Sequence, residues 1–276
     1  MLQRIKLLSE AYQVVRPVSL SVIAIAVASL AMAMVGWHGA SFALGCVIVA
    51  IAVVLVFQVH RAVGHLRRES VVIHRASLKA ERHYVDVLRR IIRFVECHQG
   101  YARGRSRRVG DLAEQIARRL SLPEEKCRML NLAGQLRDIG LLAISEKILS
   151  KPSRLGVHEF RDVQKHSKAS YEILKPLKSL REILPAIQYH HERMNGTGYP
   201  FGLAGDEIPV GARILAAADA YDAMTHDRPY RQAISPLEAM REMRRCSPAG
   251  YDEACVNALA AVTNLPELEE AMVADG

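Results

Sequence analysis

Two histidines stand side by side at His190 and His191, followed by Glu192 and a glycine-rich turn that ends in Gly198-Tyr199-Pro200. Adjacent residues on a helix point about 100° apart, so neighbouring imidazoles cannot both enter one core pocket by packing alone. Metal ligation at a helix end, with glycines letting the backbone approach a ligand, accounts for the composition better. Three further pieces supply matching donors. Leu136-Arg137-Asp138-Ile139-Gly140 reads as a carboxylate inside an apolar helix, a costly place for a charge unless it is paired or metal-bound. His166 follows Lys165 just ahead of another apolar helix, and Asp219 interrupts the small apolar face of Ala216-Ala217-Ala218-Asp219-Ala220. Each of these alone has a structural reading as a helix cap or an ion-pair partner. Together the imidazoles and carboxylates suit zinc, iron or manganese.

The elements that must hold these groups read as helices. From Ser106 onward, apolar residues recur with helical spacing, as in Val109, Leu112, Ala113, Ile116 and Leu120, or Ala169, Ile173, Leu174 and Leu177. Leu122-Pro123, Lys151-Pro152, Lys175-Pro176 and Ser235-Pro236 punctuate them as turn signals. No stretch alternates with period two for long enough to argue a sheet, so the expected fold class is all-α. Between Arg61 and about Val95 there is no proline, and good helix formers are interspersed with charge, which predicts one long helix. Its stripe of Val85, Leu88, Ile91, Ile92 and Val95 could face a core or a second copy of the chain in a homodimer. The paired arginines of 61–80 obscure any coiled-coil seam.

Residues 17–60, a run of 44, contain no Asp, Glu, Lys or Arg. At 1.5 Å per residue the run spans about twice the hydrocarbon core of a bilayer, which predicts a hairpin of two transmembrane helices at about 18–36 and 41–59. The turn falls near Gly36-Trp37-His38-Gly39, with Trp37 at headgroup level. It is too long for a cleaved signal peptide. Arg4, Lys6 and Arg16 precede it and Arg61, Arg67 and Arg68 follow, so the positive-inside rule puts both termini in the cytoplasm, and the inner membrane is the expected location. The formal charge is +8, of which +6 falls after residue 60, clustered towards the membrane end of the soluble part. Such a surface suits lipid headgroups or an anionic ligand. Five cysteines without a CxxC pair read as reduced thiols.

The order of motifs resembles the HD-GYP family over about residues 84–270. Arg137-Asp138 stands at the His-Asp position, followed by Lys165-His166 and His190-His191-Glu192-Arg193-Met194-Asn195-Gly196-Thr197-Gly198-Tyr199-Pro200. Arg213-Ile214-Leu215-Ala216-Ala217-Ala218-Asp219-Ala220-Tyr221-Asp222-Ala223-Met224 and Arg228-Pro229-Tyr230-Arg231 complete the series. The resemblance implies an HD phosphohydrolase fold whose active members use two or three metal ions to hydrolyse cyclic di-GMP. It ties the Gly-Tyr-Pro segment to substrate specificity and partner contacts, for example with a diguanylate cyclase or an adaptor. The implied organisation is a cytoplasmic segment 1–17, the hairpin 18–59, a linker helix 60–83 and the HD-GYP-like domain 84–276.

Departures from the family cluster in one half of the site. Arg105, in Gly104-Arg105-Ser106-Arg107-Arg108-Val109, stands where a ligand His is expected; Arg137 replaces the His of the His-Asp doublet; and Leu141 replaces a Lys associated with the scissile phosphate. Asn195 replaces an Asp and Ser170 a Gly. By the family's arrangement, positions 105, 137, 138 and 219 hold one ion, and Asp138, His166, His190 and His191 the other. Guanidinium groups stay protonated and only donate, so they repel a cation and attract phosphate. The expectation is therefore that Arg105 and Arg137 take the electrostatic role of a missing ion. That leaves one divalent transition metal or none, iron or manganese rather than zinc, on Asp138, His166, His190, His191 and Asp219. Asp138 is also the expected catalytic group. Arg105, Arg137, Arg213, Gly198, Tyr199 and Pro200 are the expected substrate contacts. Two functions follow: a degenerate domain that binds nucleotide or a partner, or a phosphodiesterase working with a reduced metal site.

Overall fold

The computed structural model describes Val27 and residues 40–98, 103–151, 153–227 and 231–263. The first expected membrane helix therefore lies outside the described residues except for Val27, as do Arg228, Pro229 and Tyr230. Among the described residues the secondary structure is helical, without a named strand. Helix α1 (Ala40–His98) is followed by α2 (Arg105–Arg119), α3 (Glu124–Leu136), a 3-10 turn (Ile139–Ala143), α4 (Glu146–Leu149) and α5 (Val157–Leu174). After these come α6 (Leu184–Gln188), α7 (Val210–Thr225), α8 (Pro236–Cys246) and α9 (Glu253–Val262).

α1 runs unbroken for 59 residues through the expected limits at 59–60 and 83–84. The chain nevertheless divides into two compact units, Met1–Ala80 and Glu81–Gly276. The second unit has one apolar core, to which Val109, Ala113 and Ile116 of α2, Leu130, Ala133 and Leu136 of α3, and Ile214, Leu215 and Ala218 of α7 contribute. α2 and α3 cross so closely that a Cβ on Gly134 would sit 2.7 Å from the Gly110 Cα, which explains two glycines in helix interiors where propensity disfavours them.

Two expectations about helix position are corrected. Asp138 is not inside a helix: α3 ends at Leu136, and Asp138 lies in the break before the 3-10 turn. The Arg137 guanidinium caps that break, its Nη1 donating to the Gly134 carbonyl at 2.6 Å, which satisfies an oxygen with no helical partner. His166 does not precede a helix but sits within α5, whose polar first half forms a solvated face and so lacks the apolar stripe that marks the second half.

At its C-terminal end, α1 contributes Glu96, a buried carboxylate. It accepts from the Gly104 N–H at 3.2 Å, the Ser106 N–H at 2.7 Å and the Ser106 hydroxyl at 2.5 Å. These donors surround the start of α2, where amides lack intrahelical partners and a negative charge is favourable. Glu96→Ala should cost about 1–3 kcal/mol. Thermal unfolding followed by circular dichroism reads the loss, and an unchanged melting temperature would show that the cap is idle.

Candidate metal centre and its arginine clamp

Four side chains converge from three places in the chain: Asp138 from the break after α3, His166 from the middle of α5, and His190 and His191 from the turn after α6. One donor atom from each lies within 4.8 Å of all the others. Backbone carbonyls orient two of the rings. His166 Nδ1 lies 2.6 Å from Val163 O and His190 Nδ1 lies 2.6 Å from Ile187 O, distances that require a proton on Nδ1. In the neutral form of each ring Nε2 is then the lone-pair donor, and it faces the cluster. His190 Nε2 is buried without a hydrogen-bond partner, and His191 Nε2 lies 3.2 Å from His166 Nε2. Burial pulls the His190 pKa down to about 4, and burial, with His190 and His166 beside it, holds His191 well below its usual value. Convergent imidazoles with an orphaned nitrogen and one carboxylate fit a divalent transition metal.

Asp138 divides its two oxygens between this cluster and a pair of guanidinium groups. Oδ1 faces His166 Nε2 at 3.4 Å and His190 Nε2 at 3.8 Å. Oδ2 faces Arg137 Nη2 at 2.9 Å and Arg105 Nη1 at 3.7 Å. Asp219 completes the clamp. Its Oδ1 accepts from Arg137 Nε at 3.0 Å, Arg137 Nη2 at 2.6 Å and Arg105 Nη2 at 2.8 Å, and its Oδ2 lies 3.1 Å from Arg105 Nη2. Burial opposes the charge on both carboxylates, but the guanidiniums outweigh it and hold their pKa values well below the usual range. Burial opposes the charge on Arg105 as well, and Asp219, Asp138 and Asp222 outweigh it. Asp219 thus stands outside the convergent four, its oxygens taken by N–H donors. Ser170 ties the break to α5, its hydroxyl donating to the Arg137 carbonyl at 2.6 Å and accepting from the Gly140 N–H at 2.8 Å.

The cluster opens on a cavity of about 600 Å³. Tyr199 forms part of its wall, stacked on His191 with ring centroids 4.6 Å apart, and Phe160 meets Tyr199 edge-on at 6.3 Å. Glu192 holds this loop in place. It is 2% exposed and accepts from the Phe201 N–H at 2.8 Å and the Leu203 N–H at 3.1 Å. Gly198 is required beside it, since a Cβ there would lie 2.4 Å from the Glu192 Cα. Arg193 reaches the cavity with its guanidinium carbon 4.8 Å from the Tyr251 ring centroid, and Arg154 reaches it without a hydrogen bond or ion pair among the described residues. Leu141 also lines the space.

Of the six expected substrate contacts, Arg105 and Tyr199 line the cavity, whereas Gly198 and Pro200 shape its loop. Two are corrected. Arg137 has no exposed surface from which to touch a ligand, because the clamp buries it completely. Arg213 lies away from the cavity, bonded to Ile208 O at 2.7 Å, Asp252 at 3.0 Å and Asp206 at 2.9 Å, where it pins α7 to the preceding turn and to the start of α9. Arg154, Arg193, Phe160 and Tyr251 were missed from the sequence. Arg193 had a signal, standing between the His pair and the glycine-rich turn. The others had none that is local.

A helical bundle carrying clustered His and Asp donors is the architecture of an HD domain. The chain belongs to the HD domain family, which is matched over residues 89–255, and its Gly-Tyr-Pro loop places it among the HD-GYP members. It is 36% identical over 63% of its length to the 3'3'-cGAMP-specific phosphodiesterase 3 of Vibrio cholerae, covering 38% of that protein. It is 34% identical over 63% of its length to the cyclic di-GMP phosphodiesterase response regulator RpfG of Xanthomonas campestris pv. campestris, covering 47% of it. The chain thus spans less than half the length of these relatives. Its fold is also similar to that of Bd1817, an HDG"Y"P protein from Bdellovibrio bacteriovorus, at a TM-score of 0.51 and 16% identity, over 67% of this chain and 64% of that one.

Proposed function

We propose that this chain is a membrane-anchored component of cyclic di-GMP signalling whose HD-GYP domain binds a cyclic dinucleotide at a one-ion site and hydrolyses it slowly or not at all. The observation that carries this reading is the clamp: Arg105 and Arg137 neutralise Asp219 and one oxygen of Asp138 with guanidinium groups, where the family's arrangement calls for an ion. The names of the relatives supply the substrate class. Asp138, His166, His190 and His191 would hold the remaining ion, iron or manganese by preference. A divalent ion there would supply Lewis acidity to a phosphoryl oxygen and acidify a water.

This chain's own residues account for binding. Arg154 and Arg193 bring positive charge to the cavity without a carboxylate partner among the described residues, which favours a phosphodiester, and Tyr199, Phe160 and Tyr251 offer ring surfaces for a base. The anchor is argued from the uncharged run 17–60 and from the apolar part of α1, whose mean hydropathy reaches 2.3 with none of that window buried. A hairpin returning both ends to the cytoplasm puts the cavity on the side where the nucleotide is made. Exposed Phe201, in the Gly-Tyr-Pro loop, supports a second reading in which a diguanylate cyclase or adaptor docks there.

The test uses the purified full chain in detergent, with metal content read by mass spectrometry, cyclic di-GMP binding by calorimetry and turnover by chromatography of the linear product. About one ion per chain, with binding and little product, is expected. Rapid turnover that rises with added manganese or iron would replace this reading with that of a working phosphodiesterase.

A further inference from the structure

We infer that α1 pairs with a second copy of this chain as a parallel two-stranded coiled coil along residues 66–94. The apolar residues of this helix form two sets with different fates. Val85 and Ile92 are buried in the domain's own core, and Leu88 packs against it. With those three assigned inward, six of the eight exposed large apolar residues between 66 and 94 fall into register, and Val71 and Val72 stand outside it. Leu66, Ile73, Ala80, Val87 and Phe94 are spaced by seven, and Ser70, Ser77, Tyr84 and Ile91 are spaced by seven between them. The apolar members are exposed in the single chain: Leu66 is 49% exposed, Ile73 59%, Tyr84 60% and Phe94 64%.

Alternating steps of three and four are the a and d positions of a heptad, with Ser70 at a and Leu66 at d. Five of the eight arginines of 61–93 keep the same period. Arg61, Arg68, Arg75, Arg82 and Arg89 are each seven apart and all fall at f, the position furthest from the seam, while Arg67 at e and Arg90 at g flank it. A helix that packed only on its own domain would have no reason to hold its outward residues to seven. On a straight helix such a repeat drifts by about 20° per heptad, and a left-handed supercoil with a partner removes the drift.

The length suffices, since four heptads cover about 42 Å. The partner is a second copy in parallel, because that arrangement sets Ser70 against Ser70 and Ser77 against Ser77, polar against polar. An antiparallel partner would place those serines opposite the apolar end of the seam.

Cysteine cross-linking of the full chain in its membrane tests this, in a background carrying Cys46→Ser, Cys97→Ser and Cys246→Ser. Ala80→Cys and Val87→Cys, on the seam, should give disulfide-linked dimers with roughly tenfold higher yield than Arg75→Cys and Arg82→Cys, on the far face. Equal yields on both faces, or none on the seam, overturn the proposal. As a second measurement, Ile73→Glu combined with Val87→Glu should weaken self-association in detergent by roughly tenfold or more, read by analytical ultracentrifugation. The domain's melting transition checks that it stays folded. A dimer that persists in that variant also overturns the proposal.

Discussion

Histidine at both clamp positions (R105H/R137H) should convert the proposed one-ion site into a two-ion site and raise cyclic di-GMP turnover by roughly 10²-fold or more. The reason lies in how the carboxylates are now used. Asp138 Oδ2 and both oxygens of Asp219 face N–H donors, and the two guanidinium charges behind those donors repel a cation from that side. Imidazoles in the same places would add two donors and release those oxygens, re-creating a second ligand set around Asp138. Metal stoichiometry on the purified full chain is the primary readout. If it stays at one ion, the clamp positions are not those of a lost ion. If two ions bind and turnover stays low, the defect lies at Leu141, which lines the cavity where the family resemblance implies a Lys, and L141K added to the pair becomes the decisive variant.

The same substitution should change how metal and stability are coupled. Without metal, two buried carboxylates lose their permanent counter-charges, so the metal-free variant should melt lower than the natural chain. With metal at 100-fold over its dissociation constant, binding to the folded state alone restores about 2.7 kcal/mol per site. The natural chain, whose guanidiniums are covalently present, should show a smaller metal-dependent shift in melting temperature than the variant.

Much of this site was legible because it depends on residue type and order. The His pair, the lone Asp in an apolar setting and the two Arg replacements were each visible at their positions, and the structure brings Asp138, His166, His190 and His191 within reach of a common point. What could not be read is what depends on distant partners. Arg213 has the same type and charge as Arg105, yet its fate is set by Asp206 and Asp252, one of them 39 residues away. From sequence His166 reads as lying ahead of a helix because half of α5 is solvated and carries no apolar stripe. The two stripes of α1 read as one for a related reason: Val85, Leu88, Ile91 and Ile92 share a helical period, and only packing separates the inward residues from the outward ones.

Arg137→Met, which keeps the length and removes the charge, should cost the domain roughly 3–5 kcal/mol. The guanidinium has no exposed surface, and the carboxylates it leaves behind keep only 13% (Asp138) and 11% (Asp219) of their side-chain surface, on the cavity side, so water replaces it only in part. Arg105 still holds Asp219, which puts the expectation at the lower end of that range, but it reaches Asp138 only at 3.7 Å. For a domain of this size each kcal/mol lowers the melting temperature by roughly 2–4 °C, so a fall on the order of 10 °C is expected. The pH dependence follows from the direction of the shift. Asp219 and Asp138 have depressed pKa values in the fold, so the stability they contribute is present above the unfolded value near pH 3.9 and is lost as pH falls towards the folded one. Arg137→Met removes part of that depression, so its stability should fall less steeply than that of the natural chain between about pH 5 and 3. Adding Asp219→Asn to Arg137→Met should recover part of the loss, because it frees Arg105 for Asp138, the carboxylate left without a close guanidinium, and the cost belongs to that charge and not to lost packing volume. If the double variant is no more stable than the single one, the clamp is held by packing and its electrostatic role must be given up.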